Sequence, residues 1–134
     1  MESSNYTLYF DGCSKGNPGK AGAGYVIYKG DDEITCKSVY VGDKETNNKA
    51  EYTGLYEGLI YAVENNIVCL DVKGDSNLVI KQIKGEYKVK SENIQTIYKN
   101  TKELCSQFEQ ITFEHVYRKD NKRADELANL ALEI

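Results

Sequence analysis

The chain has 134 residues, 40% apolar and 28% charged, with one proline, which describes a single domain over residues 1–134 that buries roughly two-thirds of its unfolded surface and leaves no room for a second. Its longest apolar run, Leu59 to Val63, is far short of the ~20 residues a membrane helix needs, and the opening Met-Glu-Ser-Ser-Asn lacks a leader's cationic region. Four cysteines without a C-x-x-C pair and one histidine exclude a zinc knuckle and a disulfide framework, so reduced thiols and a cytoplasmic setting are expected.

Seventeen basic and twenty-one acidic residues give a net charge of −4, a sign that by itself opposes a polyanionic partner. The distribution is uneven. Residues 81–102 hold Lys81, Lys84, Lys88, Lys90, Lys99 and Lys102 against Glu86 and Glu92, leaving −8 for the remainder. That segment reads either as a local basic patch or as a solvated lysine-rich helix face.

In chain order, Tyr6 to Gly12 alternates, with Tyr6, Leu8 and Phe10 on one side and Thr7, Tyr9 and Asp11 on the other, which predicts a strand delivering Asp11 at its end. A glycine-rich stretch follows, with Pro18-Gly19 as a turn, then two further strands, GYVIYKG and ITCKSVYVG, separated by Asp31-Asp32; the three read as an antiparallel meander. From Asn48 the period becomes helical through Leu55, Leu59, Ala62 and Val63, closing at Asn65-Asn66. A fourth strand, Ile67 to Gly74, ends at Asp75-Ser76, where the serine can cap a helix through Leu78, Val79 and Ile83 that stops at Gly85. Another helical pattern (Ile94, Ile97, Tyr98, Leu104, Phe108), a strand from Ile111 to Tyr117 and a helix from about Lys122 through Ala131 complete the chain. Helical crossovers permit strands 1, 4 and 5 to run parallel, while hairpins force the first three antiparallel. The expected fold is α/β: a five-stranded mixed sheet with helices on both faces.

Four acids stand out, and each alone has an ordinary structural reading. Asp11 can start a turn, Asp75 can favour the entry of the next helix, Asp125 suits a first helical turn, and Glu51, three residues after Asn48, can form a capping box. Taken together they read otherwise. Glu51 lies one turn before Leu55 on the stripe facing the sheet, Asp11 ends the first strand, and Asp75 leaves the C-terminal end of its expected neighbour, the edge of an α/β sheet where ligands gather. Carboxylates converging there repel one another strongly unless divalent cations neutralise them.

The runs Asp11-Gly12-Cys13-Ser14-Lys15-Gly16-Asn17-Pro18-Gly19, Thr46-Asn47-Asn48-Lys49-Ala50-Glu51-Tyr52, Gly74-Asp75-Ser76 and Asn121-Lys122-Arg123-Ala124-Asp125-Glu126-Leu127-Ala128-Asn129 resemble, in order and spacing, the four signature blocks of type 1 ribonuclease H. The resemblance spans nearly the whole chain. It implies endonucleolytic cleavage of the RNA strand of RNA/DNA hybrids, products with 5′-phosphate and 3′-hydroxyl ends, and two Mg²⁺ ions, with Mn²⁺ as substitute, held by Asp11, Glu51, Asp75 and Asp125. It also places Gly12, Ser14, Gly16, Asn17, Asn47 and Asn48 against the RNA strand. Their own chemistry agrees, since short amides beside a metal site suit 2′-hydroxyls in the shallow minor groove of an A-like helix, although turn formation and helix capping also account for the three asparagines. A monomer is expected.

Two features depart from the family pattern. The loop histidine that many members carry after the last strand is missing, and Arg118-Lys119-Asp120 stands there instead; Arg118 or Lys119 is the expected aid to product departure. His115 shares a strand face with Phe113 and Tyr117 and reads as a packed or partly exposed strand residue. The basic, tryptophan-bearing insertion of long members is also missing, with Lys84, Lys88 and Lys90 left to compensate in part. Among other readings, a nucleotide-binding loop lacks both glycine signatures. A non-catalytic binding module would not need all four acids, and the third alternative is the ribonuclease H portion of a reverse transcriptase or a related metal-dependent nuclease with another substrate.

Overall fold

The computed structural model describes residues 5–133. Strands β1 (Tyr6–Lys15), β2 (Gly19–Lys29), β3 (Asp32–Glu45), β4 (Cys69–Gly74) and β5 (Gln110–His115) form one sheet in the order β3-β2-β1-β4-β5. Pairing is antiparallel among the first three and parallel for β1 with β4 and β4 with β5, as the short hairpins and long crossovers predict. The helices are α1 (Asn47–Glu64), α2 (Asn77–Ile83), α3 (Glu92–Cys105) and α4 (Lys122–Leu130), with 3-10 turns at Arg118–Asp120 and Ala131–Glu133. Among the described residues no helix is long and apolar enough to cross a membrane.

Alternation sorts the core. Leu8, Phe10, Tyr25 and Ile27 pack with Leu55, Leu59 and Ala62 of α1, Leu70 and Val72 of β4, Val79, Ile80 and Ile83 of α2, and Ile94 of α3. Leu8, Phe10, Leu55 and Leu59 are fully buried, each contributing about 1.5–3 kcal/mol relative to exposure.

The glycine-rich segment is strand rather than loop. β1 continues through Asp11 and Gly12 to Lys15, and the hairpin pairs Asp11 with Gly24 and Gly12 with Ala23. Helices lying directly on the strands account for the glycines. A Cβ on Gly12 would fall 2.3 Å from Ala50 C and Glu51 N, and one on Gly24 would fall 2.6 Å from Leu127 Cβ. Because residues opposite one another share a face and neighbours alternate, Gly12 faces α1 and Gly24 faces α4, which places helices on both faces.

Several boundaries differ from the sequence reading, among them the start of β4, at Cys69 rather than Ile67, and the start of β2, at Gly19 rather than Gly24. Thr46, not Asn48, caps α1, its Oγ1 accepting from Lys49 N at 3.1 Å. α3 ends at Cys105, and i→i+3 bonds from Gln107 and Phe108 N–H carry Phe108 onward to the core. β5 ends at His115 because its partner β4 ends at Gly74. Ser76 caps α2 as expected, accepting from Val79 N at 3.2 Å.

Candidate active site

The parallel register of β1 and β4 runs from Thr7 opposite Asp71 to Phe10 opposite Gly74. Asp11 is the next residue of β1 and Asp75 the first residue beyond β4, so the ladder itself sets two acids side by side where β4 leaves β1. Glu51 arrives from α1, whose first turns close down on Gly12. One carboxylate oxygen from each of Asp11, Glu51 and Asp75 lies within 4.8 Å of the others. Asp125, in the first turn of α4, joins them in a cleft of about 500 Å³ that Gly12, Asn47, Asn48 and Arg118 also line. That turn is tied to β1 by Asn121, whose Nδ2 donates to the Phe10 carbonyl at 2.9 Å.

The electrostatics are unfavourable for three anions. Burial, then the charge of Asp75, pushes the Asp11 carboxyl above its ordinary range, only partly offset by Gly12 N–H donating to Asp11 Oδ1 at 2.9 Å. Burial, then the charges of Asp11 and Asp75, raises Glu51 well above the ordinary carboxylate range. Among the described residues no lysine or arginine forms an ion pair with Asp11, Glu51 or Asp75; Arg118 Nη2 reaches Asp125 Oδ1 at 3.9 Å and is largely exposed, where such contacts contribute little. Glu51 Oε1 is buried with no hydrogen-bond partner. An orphaned lone pair amid oxygen-only donors fits a hard divalent cation, which supplies the missing charge and prefers carboxylates with water over soft ligands. Burial and the charge of Asp11 push the Cys13 thiol up, which disfavours the thiolate a soft metal needs.

Beside the acids, three residues named for substrate contact are wired together. Ser14 N–H donates to Asn47 Oδ1 at 2.7 Å, Asn47 N–H donates to Asn17 Oδ1 at 2.9 Å, and Ser14 Oγ bonds the Glu45 carbonyl at 2.6 Å. Backbone N–H groups can donate only to the amide oxygens, so both asparagines are left with Nδ2 for other partners. Gly16, at φ +97°, lies in the β1–β2 connection with exposed Asn17; neither lines the acidic cleft.

The sequence reading did not place Cys13, Ser76, His115 and Tyr117 in the cleft. His115 is exposed and meets Tyr117 edge-on at 6.0 Å. Its register opposite Gly74 brings it out at the same sheet edge as Asp75, a signal that exists only once β4 and β5 are paired. Tyr52 and Asn121 stand inside the quoted runs with no role of their own assigned there, and Gln82 lies outside them, because the partner of a buried polar side chain exists only in the fold.

A family model described as reverse transcriptase-like matches residues 9–131. Ribonuclease HI of Halobacterium salinarum is 38% identical over 93% of this chain and 63% of its own length. A bifunctional protein of Mycobacterium tuberculosis is 41% identical over 92% of this chain but only 34% of its own length, so the chain spans from about a third to just under two-thirds of these relatives. The crystal structure of that protein's N-terminal RNase H domain superposes with a TM-score of 0.92 at 39% identity, covering 98% of this chain and 95% of the solved one. LC11-RNase H1, solved in complex with RNA/DNA hybrid, gives a TM-score of 0.86 at 31% identity over 96% of each chain.

Proposed function

The chain belongs to the type 1 ribonuclease H family, and on that premise we propose that it hydrolyses the RNA strand of RNA/DNA hybrids as a monomeric, cytoplasmic endonuclease, leaving 5′-phosphate and 3′-hydroxyl ends. The observation that carries this reading is the gathering of Asp11, Glu51 and Asp75 within 4.8 Å of one another, with no ion pair to any of them among the described residues.

Asp11, Glu51, Asp75 and Asp125 would hold two Mg²⁺ ions, with Mn²⁺ able to replace them. When bound, such ions activate a water and relieve charge on the departing oxygen of a phosphodiester. The residues around them orient the substrate. Asn47 and Asn17, with their amide oxygens occupied by backbone N–H groups, present N–H donors suited to a 2′-hydroxyl in a shallow minor groove. Gly12, Ser14, Gly16 and Asn48 complete the surface offered to the RNA strand. Arg118, exposed at the cleft and 3.9 Å from Asp125, is placed to attract the cleaved phosphate and help it leave.

The test is cleavage of labelled RNA/DNA hybrid, duplex RNA, single-stranded RNA and duplex DNA, each with and without Mg²⁺ or Mn²⁺. Cation-dependent cutting of the hybrid alone is expected, and Asp75→Asn is expected to abolish it while retaining hybrid affinity. Cutting of duplex DNA, or cutting that persists in a chelator, overturns the reading.

A further inference from the structure

We propose that the buried hydrogen bond between Tyr52 and Gln82 is a positioning pair that sets the spacing of the Glu51 and Asp75 carboxylates, an inference that rests on the reading that these acids hold divalent cations. Tyr52 Oη donates to Gln82 Oε1 at 2.6 Å. Tyr52 is fully buried and Gln82 is 7% exposed, and neither lines the acidic cleft. Tyr52 is the residue after Glu51 in α1. Gln82 belongs to α2, whose N-cap, Ser76, is the residue after Asp75.

The two helices differ in how firmly they are held. α1 has 18 residues and its first turns rest on β1 at Gly12. α2 has seven, too few to persist without tertiary support. Its apolar anchors, Val79, Ile80 and Ile83, bury area but do not define a rotation, because apolar attraction is non-directional. A buried amide accepting from a fixed phenol does define one. The Tyr52 ring is itself held edge-on by Tyr98, centroids 6.3 Å apart and planes at 89°. At the other end, Ser76 is bonded into the first turn through Val79 N and Ile80 N, so a rotation of α2 displaces Ser76 and the acid before it. The hydrogen bond thus closes a ring from Glu51 through Tyr52, Gln82 and α2 to Asp75, and holds together two charges that repel.

A glutamine on the stripe of Val79, Ile80 and Ile83 is not what packing alone selects, since an apolar side chain there has no polar group to desolvate. Removing one partner leaves the other buried and unsatisfied, whereas replacing both with apolar groups is close to neutral for stability. This asymmetry separates positioning from packing.

The experiment compares wild type, Tyr52→Phe, Gln82→Met and the double variant. It reads thermal midpoint, Mn²⁺ binding by titration calorimetry with Mn²⁺ alone, and kcat and KM on hybrid. The single variants are expected to melt lower and the double variant near wild type. All three are expected to bind Mn²⁺ about tenfold more weakly, in the range that loss of a group supporting a metal ligand produces, with lower kcat and unchanged KM. A double variant whose Mn²⁺ affinity returns together with its midpoint overturns the proposal. So does Tyr52→Phe, measured well below its midpoint, with wild-type Mn²⁺ affinity. Wild-type protein that binds no Mn²⁺ removes the metal reading and this proposal together. Wild type that binds Mn²⁺ without cutting hybrid removes only the proposed activity, and the Mn²⁺ comparison still decides the role of the pair.

Discussion

Asn121 donates its side-chain N–H to the main-chain carbonyl of Phe10 at 2.9 Å, and both residues are buried. Phe10 precedes Asp11, and the Asn121 carbonyl accepts from Asp125 N–H at 3.1 Å, so this contact joins the acid of the first strand to the acid of the last helix. The Oδ1 atom of the same amide is buried without a partner, which makes Asn121 a costly residue kept for one bond. Asn121→Ala is expected to lower unfolding free energy by about 1–3 kcal/mol, the range for stranding a buried acceptor. Urea denaturation checks it, and an unchanged midpoint contradicts the linkage.

A pH dependence follows from the raised carboxyls. Asp11 is pushed up to about 7 and Glu51 is raised well above its ordinary range. Groups with a folded pKa above the unfolded value bind more protons in the native state, so their contribution is fully present below the ordinary carboxylate range and is lost as pH rises through the folded values. Metal-free protein is therefore expected to melt lower at pH 8 than at pH 5.5. Added Mn²⁺ should raise the midpoint more at pH 8, because the ligands must be deprotonated to bind it. Glu51→Gln, which removes one of the repelling charges, should raise the metal-free midpoint at pH 8 and flatten the profile. Melting curves in chelator at the two pH values decide the matter; a profile rising with pH contradicts the stated sign.

Much of the architecture was legible because alternation and helical periodicity report which side of an element is dry. Asp11 and Asp75 were legible for a similar reason: Asp75 directly follows β4, and Asp11 is where β1 runs past the last pair of its parallel partner. The glycine-rich stretch misled, since glycine usually signals a loop, and what selects it here is a helix backbone 2.3 Å from where the Gly12 Cβ would stand. Contacts of that kind join residues far apart in the chain and leave no local pattern. The same holds for Tyr52 with Gln82 and Asn121 with Phe10, whose polar atoms are meaningful only once their partners are in place. Thr46 took the cap expected of Asn48 because α1 starts at Asn47, two residues before the first helical position that an Asn48 cap would give.

Asn47 offers a separation of roles. Its Oδ1 accepts from Ser14 N–H at 2.7 Å, leaving Nδ2 for substrate. Asn47→Asp keeps the acceptor and removes the donor, while Asn47→Ala removes both. Ser14 N–H lies near the surface, where water can replace the lost partner, so both variants should stay within about 1 kcal/mol of wild type in stability. Both should bind hybrid about 2- to 10-fold more weakly, the equivalent of one hydrogen bond. The aspartate should be the weaker of the two because it adds negative charge beside a phosphate backbone. Stability by melting and hybrid affinity by fluorescence anisotropy check this; wild-type affinity in Asn47→Asp removes Nδ2 from substrate recognition.

Salt dependence tests how much of the lysine-rich segment meets nucleic acid. Lys81 and Lys84 are both drawn to Glu86, at 3.6 and 3.5 Å, and Lys102 Nζ is committed to the Ile83 carbonyl at 2.9 Å. Lys88 and Lys90 are exposed and outside those pairs, so the six lysines counted in the sequence reduce to a small free set. Each phosphate neutralised contributes about 0.9 to the slope of log affinity against log salt. Binding of hybrid is therefore expected to show a shallow slope, roughly −2 to −3 if two or three phosphates are neutralised, and Lys88→Ala with Lys90→Ala should reduce its steepness by up to about 2. Anisotropy titrations across a salt series give the slope directly. A slope that the double variant leaves untouched places the phosphate contacts elsewhere on the protein.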